Sequence, residues 1–157
     1  MKQLLVFILA MLFVLSSALS AQTIDLDVKG VKIGTHRSEV IEKLGKPSSS
    51  KIGGSLPCDT DPVLNLRYPG LVLRLLESNE GKEFFVAEIE ITSSNWTVAS
   101  DINIGTTKKK VIKKFGFREV YKELDLEYLE YPMKVGSAEF SFKKDKLAKI
   151  AWAINPC

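Results

Sequence analysis

IGTHRSEVIEKLG, residues 33–45, returns as IGTTKKKVIKKFG at residues 104–116. A constant offset of 71 residues superposes Ile33 on Ile104, Gly34 on Gly105, Thr35 on Thr106, Val40 on Val111, Ile41 on Ile112 and Gly45 on Gly116. Leu44 and Phe115 match in character. In each copy the threonine is placed to cap a helix by accepting a hydrogen bond from a free N–H of the first turn. The apolar residues then fall at i, i+1 and i+4 (Val40, Ile41, Leu44; Val111, Ile112, Phe115), which predicts a short helix with one buried stripe. Glycine at the end supplies a positive φ, and Pro47 forbids continuation in the first copy.

After each helix come three stretches with strand character: residues 63–68, 71–76 and 85–92, then 126–131, 138–143 and 147–154. KKDK joins the last two as a short polar hairpin connection, and ESNEGKE makes a longer one in the first half. The sequence therefore predicts a duplicated unit of helix plus meander, at about residues 31–95 and 102–157. One such unit is too small to bury a core alone, so the two share one. The apolar phase runs through Leu71, Leu73, Leu75, Ala87, Ile89 and Ile91, and through Ala138, Phe140, Phe142, Ala148, Ile150, Trp152 and Ile154. The opposite phase carries Val72, Arg74, Glu88, Glu90, Glu139, Ser141, Lys143 and Lys149, a solvated surface with cross-strand ion pairs. The expected fold is α+β: an antiparallel sheet of six to eight strands, helices packed on one face and water on the other, with short edge strands at residues 23–28 and 98–102.

The chain opens with Lys2, an apolar run and the small residues SSALSA, the pattern of a cleaved secretory signal peptide over residues 1–21. Cleavage after Ser20 or after Ala21 fits equally. No cysteine stands there to carry lipid, so the expectation is a periplasmic or secreted protein without a membrane span. Without Lys2, 21 basic and 19 acidic side chains leave a net charge of +2 on 136 residues. That balance argues against a nucleic-acid partner, and the length fits a single domain. Cys58 and Cys157 are even in number for an oxidising compartment, which favours a disulfide over free thiols. With 98 residues between its ends, such a bridge is worth ~4.7 kcal/mol by chain-entropy arithmetic.

IGxxxxxVxxxLG followed by a meander, and repeated, resembles the β-lactamase inhibitor proteins and the outer-membrane assembly lipoproteins of the SmpA/OmlA type. The first copy keeps the full motif as Gly34, Thr35, Val40, Leu44, Gly45 and Pro47; the second keeps Gly105, Thr106, Val111 and Gly116, has Phe115 for leucine and lacks the proline. The resemblance implies a small envelope module that works by protein contact and not by catalysis. It departs from both families: one long-range cysteine pair replaces the inhibitor's disulfide in each half, the lipidated cysteine is missing, and the outer face reads as charged, without aromatic anchors.

No residues form a catalytic constellation. His36 stands alone without a nucleophile or an orienting acid, and reads as an exposed first-turn residue. Asp59 and Asp61 lack the third oxygen ligand, glycine and distal glutamate of a calcium loop and read as turn residues. No metal or cofactor is expected. Lys108, Lys109, Lys110, Lys113, Lys114 and Arg118 form a basic patch that suits lipid phosphate or an acidic protein; the alternative is a solvated helix face neutralised by Glu123, Asp125, Glu127 and Glu130. Trp96 is either an interaction residue or part of a satellite core, and Trp152 is core. Asn95-Trp96-Thr97 matches the glycosylation pattern. The functional expectation is a non-enzymatic protein-binding module of the bacterial envelope, an assembly factor or inhibitor, using Arg67, Arg74, Glu88, Glu90, Glu139, Lys143 and Lys149 on the sheet face. The alternative is a carrier of a small ligand or lipid with a groove between helices and sheet.

Overall fold

Half-buried alternation over six predicted strands closes into one sheet. The structure, a computed structural model of the 157-residue chain, describes residues 23–56, 62–78 and 83–154. The expected signal segment with both candidate cleavage sites, Cys58 and Cys157 with the bridge expected between them, and the turn expected at Asp59 and Asp61 lie outside those residues. Along the chain come α1 (Arg37–Leu44), β1 (Ser49–Ile52), β2 (Val63–Tyr68), β3 (Leu71–Glu77), β4 (Phe84–Ile91), β5 (Thr97–Val98), β6 (Ile102–Asn103), α2 (Lys108–Phe115), β7 (Val120–Glu123), β8 (Leu126–Pro132), β9 (Ser137–Lys143) and β10 (Lys146–Ala153). Eight strands form an antiparallel sheet in the order β1-β2-β3-β4-β10-β9-β8-β7. The halves meet where β4 pairs β10, with Ile91 opposite Ile150 and Ile89 opposite Trp152.

The α+β expectation is overturned. The described residues are 50% strand and 13% helix, and each helix has only eight residues. Such a helix is about 12 Å long, whereas eight strands span about 34 Å across the hydrogen-bonding direction. Two helices of that size cannot form a layer. They bury Val40, and Val111 with Phe115, and irregular segments supply the remaining cover: Ile24, Leu26, Val28 and Val31 before α1, and Val98 and Ile102 from the separate β5–β6 hairpin. The edge strand expected at residues 23–28 is reduced to isolated bridges such as Ile24 with Met133. The true outermost strands, β1 and β7, come from polar segments that carry little alternation, with mostly exposed residues.

The repeated phrase builds the same local structure twice. The N–H of Gly34 donates to Val86 O at 2.7 Å, and that of Val86 to Thr35 O at 2.9 Å. In the second half Gly105 donates to Leu147 O, and Leu147 to Thr106 O, both at 2.8 Å. These bonds tie each helix start to β4 or β10. Thr35 and Thr106 do not cap the helices. Each is nearly buried and turns its hydroxyl backward, accepting from the N–H of Lys32 at 3.0 Å and of Asn103 at 3.2 Å. The N-cap is the next residue: Thr107 accepts from Lys110 N at 3.3 Å, and His36 makes no side-chain cap bond. Gly45 and Gly116 close the helices at φ 80°, ψ −172° and φ 90°, ψ 164°, a region open essentially to glycine alone.

The inward phase also needs one correction in each half. Between Arg74 and Leu75 the β3–β4 register skips Ala87, and the β9–β10 register skips Ala148. Each is a bulge, one extra residue that reverses the phase beyond it. Val86 and Leu147 therefore point into the main core ahead of Ile89 and Ile150. Ala87 joins a smaller cluster with Leu56, Val63 and Leu76, flanked by Phe85 and Ile154, on the side expected to be solvated.

Candidate functional site

With the inner side packed against the helices and irregular segments, the outer side of the sheet is, among the described residues, covered only at the small cluster around Leu56. Its residues form ladders across the strands. One row runs Arg67, Val72, Glu90, Ala151, Glu139 and Glu130 from β2 to β8; the next runs Asn65, Arg74, Glu88, Ala153 and Ser137. Six of the seven predicted face residues (Arg67, Arg74, Glu88, Glu90, Glu139, Lys149) thus share this surface. Lys143 sits at the strand end, where it pairs with Asp125 at 2.6 Å. This pairing holds the Asp125 carboxyl below the usual carboxylate range.

The halves of this face differ in chemistry. In the first half Arg74 pairs with Glu88, the carboxylate being the more buried partner. In the second half Lys149, Ser141, Tyr128 and Tyr121 lie in one row, and Tyr121 is 55% exposed. Tyr121, Glu123, Tyr128, Glu130, Glu139 and Lys149 line an open depression of about 650 Å³, with Lys122 at its rim. The expectation of a face without aromatic anchors is therefore wrong here. The signal for the tyrosines was the phase of residues 120–123 relative to β8, which becomes visible only once β7 is recognised as a strand.

The basic patch is partly neutralised, by Glu127 as expected and by Asp101 and Asp145, which were not. Lys108 reaches Glu127 at 2.5 Å and Asp145 at 3.2 Å. The Glu127 bond raises the lysine pKa, and Lys108 followed by Lys122 lowers that of Glu127. Lys114 and Lys110 converge on Asp101 at 2.8 and 3.2 Å and lower its pKa. The Arg118 guanidinium lies 5.6 Å from the centre of the Tyr131 ring. Lys109 and Lys113 project outward from α2. Of the acids proposed as neutralisers, only Glu127 pairs with a patch residue among the described residues.

His36 is exposed and pairs with Glu83 at 2.9 Å, beside a depression of about 420 Å³ with Arg37, Ser38, Ile41 and Phe84. Trp96 belongs to the core margin: its indole N–H donates to Pro69 O at 2.8 Å, its ring meets Tyr68 edge-on at 6.2 Å, and Lys29 lies over it at 5.1 Å. Trp152 is fully buried. Among the described residues no group of three or more acidic, histidine or cysteine side chains is placed to hold a metal, and no helix is long and apolar enough to cross a membrane.

No family model matches the chain, and no curated protein does so at a significant level. Two solved structures are similar. An extracellular protein of Bacillus anthracis that contains a SCP domain superposes with a TM-score of 0.56 at 15% identity, over 86% of this chain and 49% of that one. A DUF4309 family protein of Bacillus subtilis superposes with a TM-score of 0.49 at 15% identity, over 81% of this chain and 84% of that one. The chain spans about half the length of the first. At this identity the likeness describes the fold.

Proposed function

We propose that this protein is a non-catalytic, secreted or envelope module that binds another protein through the outer face of its sheet, chiefly the second half. The observation that carries this reading is the open depression around Tyr121 and Tyr128, bordered by Glu130, Glu139 and Lys149 on a stretch of sheet that no second layer covers among the described residues. Tyrosine is enriched where proteins meet, because one side chain offers apolar area and a hydroxyl at low entropic cost. Phe117, Tyr121 and Leu124 are three of the five large apolar side chains left exposed among the described residues, and all lie in or beside β7. Edge strands with exposed apolar side chains are favoured docking sites for other chains.

The signal-like opening supports placement outside the cytoplasm, and the fold also occurs in an extracellular protein. The cysteines are in keeping with it: Leu56 and Ile154 share the small outer cluster, two residues before Cys58 and three before Cys157. A bridge between those cysteines leaves no free thiol in the unreduced mature chain, which thiol titration with and without reductant reads directly. The carrier alternative asks for a groove between helices and sheet, where Val40, Val111, Phe115, Phe140 and Trp152 instead pack in one cluster. Crosslinking of mature protein in an envelope or culture extract tests the binding reading. A partner should crosslink through Lys149 while Lys109 and Lys113 stay unmodified by it. Crosslinks confined to α2 would move the binding surface to the other side of the molecule.

A further inference from the structure

The row across the middle of the outer face is unusual in its charges. Glu130 stands directly opposite Glu139, and Glu139 is separated from Glu90 only by Ala151. Like charges opposite one another destabilise an antiparallel pair. Among the described residues no cation lies within ion-pair distance of Glu90, Glu123 or Glu130; Lys149 reaches Glu139 only at 3.6 Å, and Arg118 lines a neighbouring depression with Glu130. Lys122 is drawn away to Glu127 on the other side of the sheet. A chain with formal net charge +3 therefore gathers Glu123, Glu130 and Glu139 around one depression with Lys122 and Lys149, and Glu90 continues the row beyond Ala151.

The floor of that stretch is low. Ala151 and the buried Ser141, whose hydroxyl donates to Glu139 at 3.1 Å, carry no bulk. Tyr121 and Tyr128 stand beside it on the same face. Carboxylates that form charge-assisted bonds and aromatic rings that attract cations suit one kind of side chain, a guanidinium or ammonium group.

We propose that the face formed by β4, β10, β9, β8 and β7 takes a basic, extended segment of its protein partner, with arginine or lysine side chains laid along Glu90, Glu139 and Glu130 and against Tyr121 and Tyr128. This rests on the protein-binding reading above and names the chemistry of the partner. A foreign partner is preferred to a second copy. The exposed cations Lys109 and Lys113 sit on α2, on the far side of the sheet, and on the outer face exposed Arg67 lies on β2, at the other end of the row from Glu130.

The test uses the full mature chain with hexa-arginine as probe and hexa-glutamate as control, followed by backbone amide shifts. Hexa-arginine should shift amides of β7 to β10 on the outer rows, hexa-glutamate should not, and added salt should weaken the effect. Glu130→Gln with Glu139→Gln should weaken binding about tenfold, the scale of one lost charge-assisted contact. Because the double substitution relieves repulsion, the variant remains folded, which the unchanged spectrum of the core confirms. Shifts scattered over the surface, or binding indifferent to the two substitutions, would overturn the inference. Capture of a protein partner that is lost on Tyr121→Ala with Tyr128→Ala but kept on the glutamine pair would leave the binding module standing and remove only its basic ligand. Concentration-dependent self-association on sizing, abolished by the glutamine pair, would assign the face to a second copy and also overturn it.

Discussion

The two halves share a backbone plan and differ in what they hang on it. Each ties its helix start to the fourth strand of its unit through a paired exchange of hydrogen bonds, carries a bulge at an alanine, and ends its helix on a glycine whose carbonyl accepts a tyrosine hydroxyl: Tyr68 to Gly45 at 3.0 Å and Tyr131 to Gly116 at 2.8 Å. Around that frame the first half packs leucine and isoleucine: Leu66, Leu71, Leu73, Leu75, Ile89 and Ile91. The second packs rings, with Phe115, Tyr131 and Phe140 at mutual distances of 5.4 to 5.6 Å. Outside, the first half shows an arginine–glutamate pair and the second shows tyrosines among carboxylates. Hydrogen-bonding geometry is thus the common part, and side-chain chemistry is where the halves differ.

The sharpest test of the aromatic core is Phe140→Ala, which removes a fully buried ring that touches both Phe115 and Tyr131. It should cost about 3–5 kcal/mol in urea unfolding. A cost below that of Leu73→Ala, its counterpart in the first half, would mean that the ring cluster is loosely packed. Next in size come Gly45→Ala and Gly116→Ala. Each forces a side chain into a glycine-only conformation, with about 1–3 kcal/mol expected. Matching losses in the two variants would show that the helix ends are equivalent, and a large loss in one alone would break the correspondence.

Alkaline pH separates the halves by degree. Burial pushes the Tyr131 pKa up to about 12, against an attraction from Arg118 that acts the other way, and Tyr68 is raised by burial. A phenol raised in the folded state contributes stability that is fully present below the unfolded value near 10. That contribution is lost as pH rises from there through the folded value. Stability should therefore be flat below that range and fall above it. Tyr131→Phe should lose the hydrogen bond to Gly116 but flatten the decline; a decline unchanged in that variant would assign it to other groups. The smallest expected effect is at the caps. Thr107→Ala should cost ~1 kcal/mol, whereas His36→Ala, with no cap bond to lose, should cost a few tenths at most.

The repeated phrase made both helix positions and all six inner strands legible, because period-two burial and terminal glycines are local signals. Other features depended on partners distant in sequence. A threonine before a helix reads as a cap, yet Thr35 and Thr106 bond backward to Lys32 and Asn103, since the chain enters each helix through a tight turn anchored on β4 or β10. The alanine bulges leave no local mark, so the phase of Val86 and Leu147 was misread. Strands β1 and β7 are polar edge strands, and half their environment is water. The α+β expectation failed for a quantitative reason: two turns of helix bury three side chains, too few to make a layer. The outer charged residues were found by alternation alone, while Tyr121 and Tyr128 needed the register of β7 to join them.

The two outer surfaces differ most in their aromatic content, with Tyr121 and Tyr128 confined to the second half. Partner affinity should be measured for Tyr121→Ala with Tyr128→Ala in the second half and for Arg67→Ala with Val72→Ala in the first, using the protein recovered by crosslinking. Loss of binding by about tenfold or more in the tyrosine variant, on the scale of a buried aromatic anchor, with little change in the other, is the predicted result. Equal retention in both, or loss only in the first-half variant, would contradict the assignment of the binding face.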